Sequence, residues 1–196
     1  MHNTIKTVNK NLPNLQEDIK NFKDLSVSNY IRSFDVSDNK TLIFKYIDGT
    51  TLNHLNINLT PNILWPLFLQ MITELKYIHE RGYAHRNITM NNIVLTPDYK
   101  IKYINFELSS LEKDTDEEYL SPELLNDIDI NLNISKAHDV WALVLIMKEI
   151  TNNNYIYDDG RTNKFLEMIY IKDWKLRPTI NMILDNFLTQ IYSKIF

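Results

Sequence analysis

Apolar and polar positions along the 196 residues fall into segments of distinct period. In "LPNLQEDIKNFKDL", residues 12–25, Leu15, Ile19, Phe22 and Leu25 recur at the three-to-four spacing of an amphipathic helix. "YIRSFDV", a polar "SDNK" and "TLIFKYI" predict two strands and a turn, a hairpin over about 30–47 that ends at Asp48-Gly49. From Pro61 to Arg81, Ile63, Leu64, Leu67, Met71, Leu75 and Ile78 keep a helical period, and the chain then enters "GYAHRN". "NIVLT" and "KIKYINF" flank a turn at Pro97-Asp98 and predict a second, small hairpin. An acidic, irregular "SSLEKDTDEEY" and then "SPELL" follow, after which "DVWALVLIMKEI", "KFLEMIY" and "TINMILDNFLTQIY" are helical by period. The result is an α+β chain that is predominantly α.

A hydrophobic fraction of 44% and only three glycines (Gly49, Gly82 and Gly160) suit a packed domain and exclude a disordered or low-complexity chain. With 21 Lys and Arg against 25 Asp and Glu the net charge is −4, and no basic stripe is interleaved with aromatics. Nucleic acid is therefore not an expected partner. The chain has no cysteine, which removes disulfides and thiolate chemistry and suits the cytosol. The first fourteen residues lack the apolar core of a signal peptide, and the longest apolar run, "WALVLIM" at 141–147, is too short to span a bilayer. A cytoplasmic protein without membrane association is expected.

Three sets of residues invite functional readings that their spacing does not support. His54, His79 and His138 lack metal-site spacing and are expected at the surface or at helix ends. Trp65, Trp141 and Trp174 are expected as core or lobe-packing residues and not as a ligand cage. Asp158-Asp159-Gly160, with Asp127 and Asp129, departs from a calcium-loop pattern and reads as turn acids.

Several ordered motifs then carry a resemblance. "HRNITMNN" resembles the catalytic loop His-Arg-Asp-x-Lys-x-x-Asn, "INFE" at 104–107 resembles Asp-Phe-Gly, and "SPE" at 121–123 resembles Ala-Pro-Glu. "DVWALVLIMKEI" looks like the Asp-x-Trp helix, "RPT" at 177–179 like a late Arg-Pro-Thr, and "LIFKYIDGTTL" at 42–52 like the last N-lobe strand and hinge. In this order they resemble a eukaryotic-type protein kinase. The resemblance implies a kinase-like helical C-lobe over 50–196 and a truncated N-lobe remnant over 1–49, with a hinge near 46–50.

It also separates residues that build the lobe from residues that handle phosphate. It implies that Asp139 accepts hydrogen bonds from the backbone at His85 and Arg86. It pairs Glu123 with Arg177 in a buried ion pair, puts His85 and Phe106 in a stacked apolar spine, and gives Trp141 a scaffold position. The chemical positions depart from the family. Asn87 stands where a catalytic Asp accepts the substrate proton, and Thr89 where a Lys steadies the phosphate. Asn105 stands where an Asp binds Mg²⁺, and Glu107 where the family has Gly, while Asn92 is kept. About a dozen residues precede the first expected helix and hold no glycine. Lys6 and Lys10, the only lysines there, lie outside any apolar strand pattern, so a phosphate-covering loop and a strand lysine are both expected to be missing. The thirteen residues Leu108 to Leu120 would be a short activation segment.

The leading expectation is a catalytically impaired, kinase-like protein that acts by protein binding, with no cofactor. By similarity to truncated viral kinase-like inhibitors, its partner would be a genuine kinase, met in the host cytosol if the source is viral. An exposed sheet edge on the N-lobe remnant also offers a homodimer contact. The alternative is an unusual active kinase using MgATP, with Asn92, Asn105 and Glu107 as metal ligands and an acid such as Asp98 as base.

Overall fold

In the first fifty residues, strand pairing is organised by one apolar strand that takes a neighbour on each side. The computed structural model describes residues 5–8, 34–38, 41–55, 60–105, 117–126, 130–153 and 160–190. β1 (Ile5–Val8), β2 (Phe34–Asp38) and β3 (Thr41–Lys45) form an antiparallel sheet of order β1-β3-β2. β2 and β3 are the hairpin that the alternation predicts, with Phe34 opposite Phe44 and a register shift between Val36 and Asp38. β1 corrects the sequence reading. Lys6, expected outside any strand, lies on β1 opposite Phe44. The four residues "IKTV" are too few to show a period, yet three of them are β-branched and β3 offers them a free edge. Among the described residues the unpaired edges are the outer sides of β1 and β2. The helix expected over 12–25 lies outside the described residues.

The predicted second hairpin is present as β5 (Ile93–Leu95) and β6 (Ile101–Tyr103). A two-residue strand, β4 (Thr50–Thr51), adds to β5 and is too short for any period to reveal. Gly49 leads into it. A Cβ at that position would sit 2.6 Å from the Leu95 carbonyl oxygen, so the chain passes β5 only because this residue has none.

Among the described residues five α-helices follow: α1 (Pro61–Glu80), α2 (Pro122–Leu125), α3 (Leu132–Asn153), α4 (Arg161–Ile169) and α5 (Ile180–Gln190). α3 starts two turns before the "DVW" that announces it. The Asn131 side chain accepts the N–H groups of Asn133 and Ile134 and caps the helix there. Val140 to Val144, Ile146 and Met147 are all buried, so α3 runs through the core rather than across its surface. α1 packs Leu64, Phe68, Met71, Leu75 and Ile78 into the same core, and Phe187 of α5 closes it against Trp65 at 6.1 Å and Phe165 at 5.5 Å. No described helix is long and apolar enough to cross a membrane.

Candidate functional site

α1 ends in a turn that aims the following loop at α3. Gly82, at φ 82°, lets its N–H return to the His79 carbonyl and the Tyr83 N–H to the Ile78 carbonyl, which satisfies the last helical acceptors. His85 is then fully buried, and Arg86 adopts φ 66°, a left-handed conformation that costs a non-glycine residue roughly 1–3 kcal/mol. Asp139 on α3 holds this shape. Its Oδ2 accepts the His85 N–H at 2.7 Å and lies 2.9 Å from His79 Nε2, while Oδ1 accepts the Arg86 N–H at 2.7 Å.

A wholly buried carboxylate stays ionised only when its surroundings favour the charge. Burial pushes the Asp139 carboxyl up, but the hydrogen bond from His79 and the nearby imidazoles of His79, His85 and His138 outweigh it, and the net direction is down. This arrangement corrects the expectation for His138, which lies inside α3 and is buried with Nδ1 3.2 Å from Ser121 Oγ; His79 sits in the last turn of α1, at a helix end as expected, and is buried against Asp139. Only His54 is exposed as expected. Adjacency to Asp139 was the available signal for His138.

Burial lowers His85 from the usual 6.5 to about 4, with Asp139 opposing, and it lowers His138 as well. Because the folded value lies below the unfolded one, the unfolded chain binds more protons between these limits. The stability due to neutral His85 is complete above pH 6.5 and is lost as pH falls towards 4. Urea unfolding at pH 7.5 and at pH 5 is expected to differ by about 2 kcal/mol, the acid side being weaker. Equal stability at both values would show that burial does not lower His85.

Beyond Arg86 the chemistry passes to amides. Thr89 and Asn92 are buried and Asn87 is half-buried. Asn92 Nδ2 donates to the Asn87 carbonyl at 2.9 Å, and Asn105 Nδ2 donates to Asn92 Oδ1 at 2.8 Å. The order is forced. The Asn87 carbonyl can only accept, so Asn92 turns its NH₂ that way and offers its oxygen to Asn105, which must answer with its own NH₂. Asn105 has φ 59°, a region where asparagine is among the tolerated residues, and the Ile104 N–H bonds the Asn92 carbonyl at 3.0 Å. The structure thus brings together Asn87, Asn92 and Asn105.

The two described members of the candidate metal set, Asn92 and Asn105, offer only uncharged amide oxygen, a poor match for Mg²⁺, which prefers carboxylate, and the Asn92 oxygen already accepts from Asn105. Asp98, the candidate base, is an exposed residue in the β5–β6 turn. Hydrogen bonds from Lys100 and Thr96 hold it down to about 2. Phe106 and Glu107 lie outside the described residues, as does the acidic segment up to 116.

The scaffold residues meet on the far side of α3. Arg177 makes a bidentate pair with Glu123 at 2.7 and 3.0 Å, both side chains being buried. Its guanidinium carbon lies 5.0 Å from the centre of the Trp141 ring, which stacks on Tyr170 at 4.7 Å.

Comparison with known proteins adds two findings. The family model described as protein kinase domain matches residues 2–194. Among curated proteins, the mitosis inhibitor protein kinase SWE1 of Candida albicans is 29% identical over 67% of this chain and 12% of its own length. A probable serine/threonine-protein kinase of Dictyostelium discoideum is 24% identical over 96% of the chain and 25% of its own length. The mouse serine/threonine-protein kinase Nek1 is 24% identical over 90% and 16%, so the chain spans a quarter or less of each of these relatives.

Proposed function

This chain belongs to the protein kinase domain family, and from that premise we propose that it uses the kinase fold to bind a protein partner and not to transfer phosphate. The observation that supports this most is the amide closure at the centre of the loop, where Asn105 gives its NH₂ to the Asn92 oxygen. Phosphoryl transfer depends on positioned metal, a phosphate clamp and a group to take the substrate proton. Here the proton-accepting position is Asn87, whose amide has no useful basicity, and loss of a general base alone costs roughly 10²–10⁴-fold. The shape of the loop, by contrast, is kept by three hydrogen bonds to Asp139. A loop held in shape without its charges suits recognition, and a genuine kinase is the partner we favour, with the outer edges of β1 and β2 as one docking region.

The test uses purified chain, wild type and Asn87→Asp, assayed for phosphotransfer and for thermal shift with ATP in the presence and absence of Mg²⁺. Neither protein is expected to transfer phosphate, and Mg²⁺ is expected to add no stabilisation. A ligand at a hundredfold excess over its Kd stabilises by about 2.7 kcal/mol, so a Mg²⁺-dependent rise of several degrees would overturn the proposal. Asn105→Asp supplies a positive control for the site. It turns the donor into a second acceptor facing Asn92, which should cost about 1–3 kcal/mol and be partly restored by Mg²⁺.

One observation favours the second reading, an active kinase with a non-standard metal site. Lys6 lies on β1 in register with Phe44, so a strand lysine is available to the fold. Should MgATP stabilise the wild type, Lys6→Ala would be the next variant, and loss of that shift would assign the lysine to the nucleotide.

A further inference from the structure

A cavity of about 540 Å³ opens on the face of the helical domain formed by the last turn of α1, the first turns of α3 and the segment 174–181. Its volume falls in the range of ligand sites. Buried Val140 and Ile180 contribute an apolar floor, and the half-buried Trp174 forms a wall. Two lysines stand at it, Lys136 and Lys175, and among the described residues neither has a carboxylate partner.

The other charges around the cavity are already neutralised. Glu80 is paired with Lys76, and Arg177 is paired with Glu123. A positive patch therefore persists on a chain whose net charge is −4. His79 supplies a directional group. Its ring is buried and lines the cavity, Nε2 lies 2.9 Å from Asp139 Oδ2, and Nδ1 has no hydrogen bond among the described residues, so a polar ring atom is left for a ligand. Leu176, 71% exposed, and Met182, 55% exposed, adjoin the lining residues Lys175, Arg177 and Asn181 in sequence and add exposed apolar side chains to the segment that lines the groove.

We propose that this groove docks an acidic segment of a partner protein, with an apolar side chain seated against Trp174, carboxylates on Lys136 and Lys175, and a backbone polar group on His79 Nδ1. Charge complementarity selects an acidic segment, and the exposed apolar flanks select a protein over a small anion. The inference deepens the binding reading above by giving the partner its chemistry, and it places recognition on a different face from the amide cluster.

The experiment follows the Trp174 indole signal in ¹H–¹⁵N spectra of the labelled chain during titration with a capped hexapeptide of alternating glutamate and leucine. A lysine–leucine hexapeptide is the charge-reversed control. The acidic peptide is expected to move the Trp174 signal at concentrations up to about 1 mM, and the control is not. Lys175→Glu should weaken binding about tenfold and Leu176→Ser severalfold. Both residues are exposed, so an unchanged melting temperature will certify their folds.

No shift with the acidic peptide, equal binding of both peptides, or a shift produced by octanoate alone would each overturn the groove proposal. Because phosphotransfer is scored separately, a failed groove with an inert Asn87→Asp protein removes the docking site and leaves the binding reading intact.

Discussion

Asp139→Ala is expected to remove about 4 kcal/mol of stability, enough to bring a marginally stable domain close to unfolding. The carboxylate is fully buried and takes three donors: His79 Nε2 and the backbone N–H groups of His85 and Arg86. Each donor left without a partner costs about 1–3 kcal/mol, and the left-handed Arg86 loses the hydrogen bond that holds it. For a domain of this size the melting temperature should fall by roughly 8–16 °C. Asp139→Asn keeps one acceptor oxygen but points an NH₂ at a remaining donor, so an intermediate loss is expected. Hydrogen exchange gives the sharper readout, because the amides of His85 and Arg86 should lose protection before the core of α1 does. A loss below about 1 kcal/mol, or unchanged protection at those two amides, would mean that the loop is held by something other than Asp139.

That anchoring explains which parts of the molecule the sequence discloses. Long elements with one buried face were legible: α1 from its period, and the β2–β3 and β5–β6 hairpins from alternation and their polar turns. The motif reading also pointed at Asp139, Glu123 and Arg177, all of which are buried and bonded. What stayed hidden depends on contacts that a linear pattern does not encode. β1 has four residues and β4 two, below the length at which a period exists, and each is a strand because a neighbour offers it an edge. His79 and His138 are ordinary polar positions by spacing, and their burial shows only in the contacts they make, His79 with Asp139 and His138 with Ser121.

The candidate site shows the same division. The departure of Asn87, Thr89 and Asn105 from the family pattern is readable from residue type. That Asn105 and Asn92 satisfy one another is a matter of geometry, visible only once the Asn87 carbonyl fixes the direction of the chain of amides. The difference matters, because two unbonded amide oxygens would still offer a cation somewhere to sit.

Arg177→Met is expected to cost about 3–5 kcal/mol, through the partner it abandons more than through the pair it breaks. The guanidinium spends all its donors: two on Glu123 at 2.7 and 3.0 Å, and the others on the carbonyls of Ala137, Ile171 and Lys172 at 2.7–3.0 Å. It therefore fastens α2, α3 and the segment before α5 to one another. Its removal leaves a buried carboxylate and three carbonyls to find new partners. Lys at this position keeps the charge but cannot form the bidentate fork, so Arg177→Lys should recover only part of the loss.

The pair itself is tested by a double-mutant cycle in urea with Glu123→Leu. Taking two charges out of water offsets much of their attraction, so the double variant Glu123→Leu, Arg177→Met should be more stable than the sum of the single losses by about 2 kcal/mol or more. Strict additivity would mean that Glu123 and Arg177 act independently, each through its own backbone partners. Coupling of the expected size would make the pair a fastening of the lobe. Such a fastening holds whether or not phosphate is ever transferred at Asn87.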